Sequence, residues 1–201
     1  MSEHEVAARG DLGSDDRHRR SIPWRWVAWG AAVCLLLLPA IAMQFTDEVN
    51  WSVSDFVIFG VMLLGVGVPL ELAVRTTGDT TYRLAVVVAL GAAFLLVWMS
   101  LGVGIIGADG DPANRMYFGV LAVGIVGALI AGFRPEGMSR ALVATAIAQA
   151  GVAAIAIFGG LGRPWSGPLE LALLNGFFVV LWTVSAWLFR RAAQGHSDTG
   201  R

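Results

Sequence analysis

The sequence predicts an all-α protein, a polytopic membrane helical bundle with six transmembrane helices in up-and-down order. Three observations predict it. Hydrophobic residues make up 56% of the 201 positions and charged residues 14%, with a mean hydropathy of +0.68, a composition suited to lipid rather than water as the surrounding medium. Apolar stretches close to the roughly 20 residues that cross a bilayer recur along the chain. The arginines between those stretches alternate from abundant to scarce, loop by loop. Because the runs are continuously apolar, helices are preferred over a membrane barrel, whose strands would be about ten residues long and would alternate polar with apolar.

Residues 1–21 are polar and charged without apolar periodicity, and such a segment buries too little surface to offset chain entropy, so a disordered tail is expected there. The first span follows at Trp26 to Phe45. Ala40-Ile41-Ala42 matches a small-residue cleavage site, but the preceding tail mixes Glu3, Glu5, Asp11, Asp15 and Asp16 with its arginines, and the apolar run is longer than most signal cores, so retention as a span is the better reading. The second span is Phe56 to Val74 and the third Leu84 to Gly107, where Gly91, Gly102, Gly104 and Gly107 imply a break or a tilt at the outer end. Pro39 and Pro69 lie inside spans and each should kink its helix.

The fourth span, Met116 to Phe133, carries Gly124, Ala128 and Gly132 at every fourth position. The fifth, Ala141 to Leu161, carries Ala146, Ala150 and Ala154 in the same way, so backbones can approach closely along both. The sixth is Leu169 to Phe189, and residues 193–201 read as a short disordered end. Everything from 22 to 192 is one six-helix transmembrane domain. The connections are brief, among them the turns Asp109-Gly110-Asp111-Pro112 and Gly162-Arg163-Pro164, so consecutive helices are expected to be antiparallel neighbours.

All 14 basic residues are arginine. Twelve, among them Arg25, Arg75, Arg83, Arg134, Arg140, Arg190 and Arg191, fall on one side of the membrane in this reading, while Arg115 and Arg163 fall on the other. That asymmetry puts both termini on the cytoplasmic side, and arginine without lysine, with heavy use of alanine, glycine and valine, suggests a GC-rich bacterial genome and so a bacterial inner (plasma) membrane. Aromatic anchors agree: Trp24, Trp26, Trp29 and Tyr82 mark inner boundaries, and Trp51, Tyr117 and Trp165 outer ones. Trp98, in mid-span, has no such explanation. A net charge of −1 gives no case for nucleic-acid binding. Cys34 is the single cysteine, so disulfides within one chain are excluded. Histidine occurs only at positions 4, 18 and 196, which speaks against haem or metal ligation in the bundle, and no cofactor is expected.

The middle thirds of the spans contain no Asp, Glu, Lys, Arg or His, which argues against a proton relay. Three polar residues within the membrane zone are candidates for function. Glu71 is four residues before Arg75, the spacing of an ion pair on one helical face, and snorkelling would bring that pair to the headgroups. Gln149 and Asn175 suit hydrogen bonds between helices, or contact with a substrate. At the outer ends Asp47, Glu48, Asp55, Asp109, Asp111, Asn114 and Arg115 form the candidate ligand-binding cluster, with Arg163 and Glu170 nearby. Carboxylates there could bind a divalent cation or act as acid and base beside an arginine that holds an anionic headgroup. Solvated outer loops carry such residues as well. No phosphate-cradling loop, zinc helix or nucleophile elbow is present.

Phe45-Thr46-Asp47-Glu48-Val49-Asn50-Trp51, Asp111-Pro112-Ala113-Asn114, Met116-Tyr117-Phe118-Gly119-Val120, Phe133-Arg134-Pro135 and Asn175-Gly176-Phe177-Phe178 resemble a family of uncharacterised bacterial multi-span inner-membrane proteins. The resemblance covers residues 22 to 192. It implies a multi-span protein without assigned activity and carries over no functional residue. Function therefore rests on composition and pattern, which favour a non-catalytic accessory or assembly subunit whose partners are the lipid bilayer and, through small-residue helix faces, a second copy or another membrane protein. A transporter or channel is second, with Gln149, Asn175, Thr145, Thr183 and Ser100 as its polar residues. An enzyme acting on a lipid at the outer surface is third.

Overall fold

The computed structural model describes residues 24–198; the expected tail at 1–21 lies outside them. Its elements are α1 (Trp24–Ala42), α2 (Val53–Thr76), α3 (Thr80–Gly102), a 3₁₀ turn (Pro112–Arg115), α4 (Met116–Ala131), α5 (Pro135–Phe158) and α6 (Pro168–Asp198). No strand occurs among the described residues. Among the described residues six helical stretches are long and apolar enough to cross a membrane, which makes this an all-α, multi-pass membrane protein.

Local chemistry sets the helix ends. Ser52 and Asp55 cap each other at the start of α2: the Asp55 carboxylate accepts from Ser52 N and Oγ at 2.7 Å, and Asp55 N donates back to Ser52 O. The Asp79 carboxylate opens α3 by accepting from Thr81 N at 2.7 Å. Arg83 then reaches back to the end of α2, donating to Val74 O in its last turn and to Thr77 O just beyond it at 2.9 Å each. The third helix stops at Gly102, short of the expected Gly107. Gly104 adopts φ +79°, and a Cβ there would lie 2.4 Å from Ala108 O, so the chain turns tightly where a side chain could not follow. Helix α6 instead runs on to Asp198, past the point where the chain was expected to lose structure. Arg190, Arg191, Ala192 and Gln194 are strong helix formers, and Ala192 is buried against the bundle.

The chain divides into two compact units, Met1–Val61 and Met62–Arg201, with the boundary inside α2. In the first, Trp51 meets Phe56 and Phe59 edge-on at 5.3 and 5.5 Å, and Leu36 packs over Gly60.

In the second, α3, α4, α5 and α6 enclose a core that includes Leu96, Tyr117, Phe178 and Phe189. The expectation that consecutive helices are the neighbours holds for α4 with α5 and for α5 with α6. Helix α3 departs from it, packing chiefly on α6 and only lightly on α4. Closing four helices around one core brings the first against the last. Tyr82 lies edge-on to Phe189 at 5.0 Å, and Ser185 Oγ donates to Ala85 O at 2.7 Å. At the other end Gly107 N donates to Ser166 Oγ at 3.1 Å, so α3 and α6 run antiparallel. Close approach of α4 and α5 depends on glycine: a Cβ on Gly127 would lie 2.7 Å from the Ala141 Cβ.

Candidate functional site

One end of the four-helix unit is closed by two interlocked loops. Asp111 caps the 3₁₀ turn, its Oδ1 accepting from Ala113 N at 2.8 Å. That turn delivers Asn114 inward, 5% exposed. Its Oδ1 accepts from Ile105 N and Ile106 N at 2.9 Å, and its Nδ2 donates to Ile106 O at 3.0 Å and Ala108 O at 3.4 Å. A primary amide has two donors and two acceptor sites, so Asn114 is saturated by loop backbone. The loop also rests on Gly162: a Cβ on Gly107 would meet Asp111 Oδ2 at 2.7 Å and Gly162 Cα at 3.3 Å.

Of the outer cluster proposed from sequence, then, Asp111 and Asn114 come together as builders of this loop. Asp109 and Arg115 stand exposed beside them. In the other unit Asp47 and Glu48 are exposed, and Asp55 is engaged by Ser52. Among the described residues no three His, Cys, Asp or Glu side chains gather closely enough to hold a metal ion. Glu71 and Arg75 form the ion pair that their spacing suggests, with 15% and 56% of their side chains exposed.

The second polar feature lies in the helical core. Asn175 of α6 is buried, and its Oδ1 accepts from Tyr117 Oη of α4 at 3.0 Å and from Gln149 Nε2 of α5 at 2.9 Å. Its Nδ2 donates to Leu171 O at 2.8 Å. Three helices are thus tied at one amide oxygen. Gln149 Oε1 and Trp182 Nε1 are buried without a protein hydrogen-bond partner. The node is made of two amides and a phenol, neutral groups that join helices without the burial cost of a charge.

The remaining hydroxyls flagged in the spans turn back on their own helices: Thr145 donates to Ala141 O, Ser100 to Leu96 O and Thr183 to Val179 O. Sequence reasoning singled out Gln149 and Asn175 because amides stand out in apolar text. Tyr117, expected as an outer boundary aromatic, is buried and its hydroxyl completes the node. An aromatic at a helix start carries no signal that distinguishes the two. Trp98 stacks on Phe94, one turn away, at 6.4 Å between ring centroids.

Compared with known proteins, the chain matches no family model, no curated protein and no solved structure.

Proposed function

We propose that the protein is a non-catalytic accessory or assembly subunit of a bacterial inner membrane, crossing it as an up-and-down six-helix bundle with both termini in the cytoplasm. Membership of the uncharacterised inner-membrane family that its sequence resembles is part of the same reading. The observation that carries it is the uneven packing of the helices. Of the most apolar stretches of α1 and α2, 6% of residues are buried, against 33% in each of α5 and α6. Exposed apolar side chains, Val33, Leu37 and Leu38 on α1 and Val57, Val61 and Leu64 on α2, offer faces on which a second helix can dock. The core supports the non-catalytic part, since Tyr117, Asn175 and Gln149 hydrogen-bond one another and Thr145, Ser100 and Thr183 bond their own backbones. Of the carboxylates that lipid chemistry at the outer surface would use, Asp55 and Asp111 serve as helix caps, while Asp47, Glu48 and Asp109 stand exposed.

Cys34 provides the test. It is exposed on α1, and oxidation of native membranes with copper phenanthroline joins two copies only where their α1 helices meet closely. The expected result is a disulfide-linked dimer that C34S abolishes, or a second membrane protein recovered in constant ratio in a native-membrane pull-down. A monomer that captures no membrane protein refutes the proposal. A transporter is the second reading, favoured by the partnerless Gln149 Oε1, and substrate uptake by reconstituted vesicles would establish it in place of the first.

A further inference from the structure

Helix α6 turns two different faces outward and inward near its C-terminal end. Trp182, Ala186, Phe189 and Ala192 are all buried in the bundle. With 3.6 residues per turn, Trp187, Arg190, Arg191 and Gln194 then share the opposite side. These four residues border an open groove along this one helix. The Arg191 guanidinium carbon lies 4.0 Å from the centre of the Trp187 ring. That stacking holds the planar group flat while leaving its N–H edges available to an acceptor. Among the described residues the salt bridges join Glu71 to Arg75 and Glu136 to Arg140, and none of them involves Arg190 or Arg191. The last carbonyls of α6 carry roughly half a negative charge, which two guanidinium groups outweigh.

The same face continues into the apolar part of the helix. Phe177, Val180, Val184 and Trp187 follow one another at helical spacing and are exposed by 49%, 58%, 41% and 50%. At ~1.5 Å per residue this track is about 15 Å long, half the ~30 Å hydrocarbon thickness and so one leaflet deep. An apolar track of that length, ending at an indole and two exposed arginines, matches an amphiphile with an acyl chain and an anionic head.

We propose that this face of α6 binds an anionic phospholipid, its phosphate held by Arg190 and Arg191 over Trp187 and its acyl chain lying along Phe177, Val180 and Val184. The inference rests on the membrane-spanning reading alone and is independent of the accessory role. Free phosphate would meet the two arginines but leave the track unused, so the lipid is the occupant.

The test is competition in nanodiscs, comparing retention of phosphatidylglycerol and phosphatidylcholine by native mass spectrometry. Each basic side chain near an anionic surface contributes roughly fivefold, so R190Q/R191Q should lower phosphatidylglycerol retention about thirtyfold. Phosphatidylcholine retention should be unchanged. Both arginines are exposed, so the variant should fold as wild type does. R140Q, which alters an exposed arginine elsewhere, should leave retention intact. Equal retention of the two lipids by the wild type overturns the proposal, as does an R140Q loss matching that of R190Q/R191Q, which would mean general charge attraction. Displacement of the lipid by millimolar inorganic phosphate overturns it too, because the site would then be an anion site and not a lipid site.

Discussion

Replacing either amide of the core node distinguishes a structural knot from a working site. In Asn175→Leu the shared acceptor disappears, and Tyr117 Oη and Gln149 Nε2 lose the partner they meet at 3.0 and 2.9 Å. Interhelical hydrogen bonds in membranes average about 0.6 kcal/mol and reach about 1.7, so losing two costs about 1 to 3 kcal/mol. Gln149→Leu acts differently. It removes one such bond, but it also removes Oε1, which is buried without a partner, and relieving a buried unsatisfied group returns about 1 to 3 kcal/mol. Gln149→Leu should therefore be neutral or stabilising by up to about 2 kcal/mol, where Asn175→Leu destabilises. Reversible unfolding in mixed detergent micelles, followed by tryptophan fluorescence, measures both variants, and the double variant gives their coupling. If Gln149→Leu loses as much stability as Asn175→Leu, Oε1 has a partner and the reasoning fails. If it folds as stably as expected yet abolishes substrate uptake by vesicles, the node is a transport site.

Asn114→Ala should orphan the buried amides of Ile105 and Ile106, each costing about 1–3 kcal/mol. Hydrogen exchange should accelerate selectively over residues 103–111 while α5 stays protected; unchanged exchange there would mean the asparagine does not hold the loop. Gly127→Val should force α4 away from α5, because a Cβ alone would come within 2.7 Å of Ala141, and overpacking of this kind costs about 1–3 kcal/mol. A lowered Tm, partly restored by adding Ala141→Gly, would verify that contact; an unchanged Tm would refute it.

The sequence by itself determined that the chain is six apolar helices, and roughly where each begins and ends. Transfer into lipid accumulates residue by residue along a helix, so a run of apolar letters reports it without knowledge of neighbours. Turn and cap chemistry is equally local, which is why the Asp109–Pro112 turn and the Glu71–Arg75 pair were legible. The polar letters Gln149 and Asn175 could be picked out, but not that they share one oxygen with Tyr117.

Only the tertiary structure decided which faces meet: that α3 packs on α6, that Asn114 turns inward to hold a loop instead of joining an outer cluster, and that Trp187 and Arg191 stack on the open side of α6. In a soluble helix the apolar stripe marks the buried side. Here lipid and core are equally apolar, so the side toward lipid and the side toward the bundle read alike. The choice between them rests on small-residue fit and a few hydrogen bonds between residues far apart in the chain.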